Sequence, residues 1–124
     1  QDGKRDAQES RGLGDVYKRQ VVQEQRKRKK FGKTQKLKMI GKKTPSREER
    51  MPTVSFTVTN KSSYQIARDA GQNNIGIRNG EFYAWRCLEG LGIEPNDGVV
   101  RVSMVHYNTI QEVRRLTEFL DRII

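Results

Sequence analysis

The chain is short of the residues that build metal and disulfide sites. Among its 124 residues there is one cysteine and one histidine. A lone Cys87 excludes an intrachain disulfide and a cysteine-rich zinc site. A lone His106 argues against a histidine-based metal centre. Apolar residues make up only 33 % of the sequence, low for a globular chain. No apolar run approaches the roughly 18 residues that a membrane helix needs, so no helical membrane span is expected. The first residues carry no apolar h-region of a signal peptide, and a cytoplasmic location is expected. Acidic residues are scarce in one part of the chain only. Residues 1–50 hold 17 basic and 7 acidic side chains, whereas residues 51–124 hold 8 of each. The net charge of +10 therefore belongs to an N-terminal arm, not to a uniformly basic domain.

Three regions follow from composition. Residues 1–20 show neither helical nor strand periodicity and read as a disordered or non-native arm. Within it, Gly14-Asp15-Val16-Tyr17-Lys18-Arg19-Gln20 resembles a translated sequencing-adapter remnant, and such segments are set aside in fold reasoning. Residues 21–50 form a basic helix/loop segment that includes Arg26-Lys27-Arg28-Lys29-Lys30. A short helix is expected from about Val21 to Phe31, with Gly32 placed to stop it. A short strand is expected at Leu37-Lys38-Met39-Ile40, ending at Gly41. Pro45 and Arg47-Glu48-Glu49-Arg50 read as a loop.

Residues 51–124 carry the periodicities of a small α+β domain, with the folded part expected to start at Pro52. From Thr53 to Thr59, Val54, Phe56 and Val58 alternate with Ser55 and Thr57, the period of a half-buried strand. Asn60-Lys61 turns the chain. Ser62 and Gln65 fit a capping box that opens a helix with Ile66, Ala67 and Ala70 inward and Gly71 at its end. Ile75 to Arg78 reads as a short strand and Asn79-Gly80 as a turn. Phe82, Trp85, Leu88 and Leu91 recur at helical spacing, predicting a second helix from Phe82 to Leu91. Pro95-Asn96-Asp97-Gly98 marks a turn. Val99 to Val105 predicts a strand with Val100, Val102 and Met104 on one face and Val99, Arg101, Ser103 and Val105 on the other. Thr109 and Glu112 form a second capping box, and Ile110, Val113, Leu116, Leu120 and Ile123 stripe the helix that follows. The expected order is β-α-β-α-β-α over residues 53–124, one small sheet covered by helices.

Several of these segments, in order, resemble a known family. Gly76-Ile77-Arg78-Asn79-Gly80-Glu81-Phe82-Tyr83-Ala84 is followed by Gly98-Val99-Val100-Arg101-Val102-Ser103 and by His106-Tyr107-Asn108-Thr109. This series resembles the C-terminal small domain of class V aminotransferases, in the branch of cysteine desulfurases and selenocysteine lyases. The desulfurase pattern is Arg-x-Gly-x-x-Cys-Ala, then Val-Arg-x-Ser, then Tyr-Asn-Thr and a final helix. Met51-Pro52-Thr53-Val54-Ser55-Phe56 is similar to the family's strand into that domain, and the resemblance spans about residues 37–124. It implies the small domain of a fold-type I enzyme that uses pyridoxal phosphate, acts on an amino-acid substrate as a lyase or transferase, and forms a homodimer. The departures are specific. Tyr83 stands where a desulfurase has its persulfide-forming cysteine, and Glu81 and Phe82 stand where many members have a histidine pair. Cys87 falls four residues late. The closer resemblance is to the cysteine desulfurase-like branch, with an aromatic-Tyr-Ala sequence at this site.

Pyridoxal phosphate needs a Schiff-base lysine and a carboxylate facing its ring nitrogen. In the family these lie on a large domain upstream, so the resemblance implies a C-terminal fragment that is inactive alone. Four residues are candidates for substrate binding. Arg101, flanked by Val100 and Val102, offers a two-pronged donor for a carboxylate, and the resemblance gives it the substrate α-carboxylate; the bland reading is an arginine paired with a local acid. Arg78 would help it or be an ordinary edge arginine. Tyr83 would shape the substrate pocket or pack on the sheet. Asn108 would touch ligand or only position the last helix. His106 reads as structural, Cys87 as a small buried apolar residue, and Phe82 and Trp85 as core.

The basic run from Arg26 to Lys43 supports an alternative of another class, a small nucleic-acid-binding protein acting through residues 21–50. Phe31 is the only aromatic in that run, which gives little support for stacking on single strands. The bland reading of the run is a solvated surface of the parent enzyme.

Overall fold

The computed structural model describes residues 36–42 and 52–124. The elements run β1 (Leu37–Ile40), β2 (Thr53–Val58), α1 (Ser63–Gln72), β3 (Arg78–Gly80), α2 (Trp85–Gly90), β4 (Val99–Ser103) and α3 (Ile110–Ile123). They form an α+β fold around one four-stranded sheet in the order β1-β2-β4-β3, and every neighbouring pair is antiparallel. β4 enters between β2 and β3, which it separates. The expected helix from Val21 to Phe31 and the loop around Pro45 lie outside the described residues.

The period-two pattern of β2 and β4 becomes two unlike faces. Val54, Phe56, Val100, Val102 and Met104 point to one side and are buried. Met39 of β1 joins them, paired with Phe56. The helices α1 and α3 cover this side through Ile66, Ala70, Val113, Leu116, Phe119 and Leu120, giving one contiguous core. Each fully buried side chain of this kind stabilises the fold by about 1.5–3 kcal/mol.

Local chemistry starts both covering helices. The Ser62 hydroxyl accepts from the Gln65 N–H at 3.1 Å, and the Gln65 carbonyl Oε1 accepts from the Ser62 N–H at 3.2 Å. Thr109 and Glu112 repeat the arrangement at α3, where Glu112 Oε2 accepts from the Thr109 N–H at 2.7 Å. Two cations finish α3 at its C-terminal end, where the helix dipole is negative. Lys36 Nζ donates to the Ile124 carbonyl at 2.8 Å and Lys61 Nζ to the Ile123 carbonyl at 3.4 Å.

A polar knot ties α1 to the turn before β4. The Asp97 carboxylate accepts from the Ser63 N–H at 2.9 and 3.1 Å. The Ser63 hydroxyl donates to the Asp97 backbone carbonyl and accepts from Asn79 Nδ2 at 3.2 Å. An acid at the first turn of a helix also meets its positive end. Gly98 follows with φ +69. A Cβ there would lie 2.2 Å from the backbone of Gly80. Only glycine lets these two stretches of backbone approach so closely.

The structure corrects several expectations. The sheet reaches further toward the N-terminus than Pro52, because β1 pairs with β2. The third strand is Arg78–Gly80, not Ile75 to Arg78, and Asn79-Gly80 is part of the ladder rather than a turn. Ile75 and Ile77 pack against the core from the preceding loop. The second helix is Trp85–Gly90, since Phe82 and Tyr83 both take positive φ and cannot be helical. Of its expected apolar stripe only Leu88 is buried; Trp85 and Leu91 are exposed. Cys87 is exposed as well, on a helix one face of which has no covering layer among the described residues. On α3, Ile110 is exposed and Phe119, absent from the expected stripe, is buried.

Candidate functional site

The second face of the sheet is polar and only partly covered. The register brings Ile40, Ser55, Arg101 and Arg78 into one row across all four strands. Arg101 sits at the centre of β4, half-buried, and Arg78 is directly opposite it on β3. Like charges placed opposite one another in a sheet repel. Among the described residues no ion pair joins either arginine to an acid. The bland reading of Arg101, a partner to a local carboxylate, therefore has no support among the described residues. Its Nε is buried without any hydrogen-bond partner, which costs about 1–3 kcal/mol in a folded protein. Two arginines facing one another with no acid between them make a site that favours an anion.

The lid of this site is the loop after β3. The Phe82 ring lies over the Arg101 guanidinium, 4.1 Å from its centroid. Phe82 has φ 51 and Tyr83 φ 59. The Ala84 N–H donates to the Glu81 carbonyl at 2.9 Å, so the two aromatics are the central residues of a tight turn with both φ positive. Glycine and asparagine normally fill such positions. A side chain with a Cβ costs about 1–2 kcal/mol at each, and strain of this kind gathers at functional sites. Tyr83 itself is fully exposed; its ring does not pack on the sheet.

Asn108 is used locally. Its Oδ1 accepts from the Val105 N–H at 2.8 Å and its Nδ2 donates to Glu112 Oε2 at 3.2 Å. It shapes the approach to α3 and makes no hydrogen bond to Arg101, Arg78 or Tyr83 among the described residues. The backbone N–H of Thr109, followed by the Asn108 amide, holds the Glu112 carboxyl below the usual carboxylate range. A small cleft beside Asn108 is lined by Ile75, Ser103 and Arg115 among others, and none of the other three candidates borders it. His106 is exposed and meets Tyr107 edge to face at 5.2 Å. No group of three metal-binding side chains occurs among the described residues, nor does any helix there have the length and apolarity to cross a membrane.

The site thus joins Arg101, Arg78 and the Phe82–Tyr83 turn, and leaves Asn108 apart. Sequence reading missed Phe82 as a site residue, because its helical spacing with Trp85 and Leu88 made it look like core. The signal available was its place two residues after the Arg-x-Gly of β3.

The family model described as Aminotransferase class-V matches residues 9–116. The chain belongs to the class-V aminotransferase family. The match reaches upstream of residue 37, into the basic segment and the stretch around Gly14. An aminotransferase-like protein of Gibberella zeae is 36 % identical over 89 residues, covering 71 % of this chain and 22 % of that protein. A cysteine desulfurase-like protein of Aspergillus flavus is 36 % identical over 89 residues, covering 70 % of this chain and 20 % of that one. The chain thus spans about a fifth of the length of these curated relatives. Among solved structures, the apo cysteine desulfurase of Thermococcus onnurineus superposes with a TM-score of 0.66 at 20 % identity, covering 88 % of this chain and 25 % of that chain. The Escherichia coli cysteine desulfurase CsdA gives a TM-score of 0.66 at 19 % identity, covering 94 % and 24 %. At these identities the superpositions show a shared fold.

The family's members use pyridoxal phosphate. Among the described residues of this class-V chain, Lys36, Lys38 and Lys42 are exposed and Lys61 is half-buried, with Lys61 bound to Asp69 at 3.2 Å. A Schiff-base lysine needs a desolvated pocket or a cationic neighbour in a formed site. None of these lysines has a desolvated pocket, so the described residues supply no Schiff-base lysine for the cofactor.

Proposed function

We propose that this chain is the C-terminal small domain of a pyridoxal-phosphate enzyme of the class-V family, and that it supplies the arginine that anchors the substrate carboxylate. Pyridoxal phosphate would be held by the remainder of the enzyme, supplying the electron sink for bond breaking at the substrate Cα. Arg101 would hold the α-carboxylate of an amino acid, and Arg78 would add a second positive charge from across the strand pair. Fixing the carboxylate orients the Cα bond to be broken. Tyr83 would border the same pocket; it stands where a desulfurase has its persulfide-forming cysteine, so the reaction would be a lyase or transferase step on an amino acid that uses no thiol at this position. The parent would be a homodimer in the cytoplasm, and the chain alone would be inactive. The fifth of the relatives' length that it spans supports the fragment reading.

One observation carries this reading: an arginine half-buried at the centre of an open sheet face, its Nε unpartnered, with a second arginine opposite and no ion pair from either to an acid among the described residues. The test is made in the intact enzyme, with substrate binding followed through the cofactor's absorbance. Arg101→Ala should weaken binding of amino acids strongly, and Arg101→Lys should recover it only in part, since an ammonium lacks the planar fork. Unchanged binding in Arg101→Ala would overturn the assignment. The nucleic-acid alternative rests on the charge of residues 21–50, of which only 36–42 are described.

A further inference from the structure

We infer that Phe82 is a positioning residue for Arg101, and that the strained turn exists to place it there. This rests on the carboxylate reading of Arg101. The guanidinium has two kinds of surface. Its edges carry the N–H donors that grip a carboxylate, and its face carries none. The Arg101 Cζ sits over the Phe82 ring, 4.1 Å from its centroid, and no hydrogen bond among the described residues uses the terminal N–H groups, which leaves them for a ligand. A ring in this position attracts the cation and removes water from one side of it. It also limits the rotamers of a long side chain before the ligand arrives, which lowers the entropy lost on binding.

Two local costs meet at this contact. The backbone of Phe82 and Tyr83 is held at positive φ, and Arg101 Nε is shut from water without a partner. Neither helps the fold. The aromatic at 82 cannot be explained as core, because it is outside the contiguous cluster under α1 and α3. A glycine or asparagine would make the same turn without strain, but would leave the guanidinium uncovered.

The test uses the intact enzyme and NMR of its labelled arginine Nε–H resonances, with L-alanine as the carboxylate probe. In the unaltered enzyme the Arg101 Nε–H resonance should be displaced upfield by the ring above it and should move as L-alanine is added. Phe82→Leu keeps an apolar side chain but has no ring. It should abolish the upfield displacement and weaken L-alanine binding about three- to fivefold. Phe82→Tyr should restore both. Phe82→Gly should unfold no more easily than the unaltered enzyme yet bind L-alanine as poorly as Phe82→Leu, a split that a purely structural residue would not produce. If Phe82→Leu binds L-alanine normally while Arg101→Ala does not, the positioning role is overturned and the carboxylate reading stands. If Arg101→Ala itself binds normally, both fall.

Discussion

The two faces of the sheet come from the same strands and are built to opposite ends. On β4, Val100 and Val102 look into a closed apolar core, while Arg101 between them looks out across a polar row. The core face is covered by two capped helices, and its strand residues are apolar except Asn79, whose amide is bonded to Ser63. The open face has two arginines, no ion pair from either to an acid among the described residues, and a strained turn for a cover. The core face is optimised for stability. The open face carries an uncompensated donor and unfavourable backbone angles, features that persist in folded proteins where a ligand needs them.

That contrast can be broken most sharply at Phe56, which has no exposed surface. Phe56→Ala should lose about 3–5 kcal/mol in urea unfolding, from lost transfer energy and the cavity left behind. Arg101→Ala should cause no comparable loss, because it also removes the buried Nε that has no partner. Equal losses in the two variants would mean that the open face is structural too.

The next effect is at the close approach of Gly98 to Gly80. Gly98→Ala should cost about 2–5 kcal/mol, from strain at positive φ and from overlap with the Gly80 backbone. Because it sits beside the polar knot of Ser63, Asp97 and Asn79, the loss should also appear as faster amide exchange at the start of α1. A thermal scan with normal Tm would contradict the close approach of the Gly98 and Gly80 backbones.

Smaller effects separate helix cover from turn strain. Thr109→Ala removes one arm of the capping box at α3 and should cost about 1 kcal/mol. Tyr83→Gly removes a fully exposed ring from a left-handed position, and should raise stability by up to about 1 kcal/mol. A loss instead would show that the Tyr83 side chain packs on something in the folded chain. The smallest effect is the pH dependence of Glu112. Its carboxyl is held below the usual range by the Thr109 N–H and the Asn108 amide. A lowered folded value means that the contribution is present above the ordinary glutamate value and disappears as pH falls through the folded one. Tm should therefore fall more between neutral and acidic pH in the unaltered chain than in Glu112→Gln, and parallel curves would remove Glu112 as the source.

Most of the core face was legible in the residues. The alternation of Val54, Phe56 and Val58, and of Val100, Val102 and Met104, gave two central strands and their inward sides. The capping boxes at Ser62 and Thr109 gave the starts of α1 and α3. The site was legible only in part. Arg101 was placed on the outward side by period two alone, and Arg78 by its position before Asn79-Gly80. Phe82 was not, because helical spacing and positive φ make opposite demands on the same residue, and only the first can be read from a pattern. Asn108 shows the reverse: a residue placed in a familiar motif whose amide turns out to serve its own loop.

Sequence by itself determined whatever depends on neighbours a few residues away. Strand faces follow from alternation, helix starts from a side chain meeting a nearby N–H, and the charge of the arm from its lysines and arginines. Tertiary structure decided whatever depends on residues far apart in the chain. It brought Asp97 onto the first turn of α1, Gly98 against Gly80, Arg78 opposite Arg101, and the Phe82 ring over a guanidinium 19 positions away. It also left Trp85 and Cys87 exposed, since an apolar side chain is buried only where another element arrives to cover it.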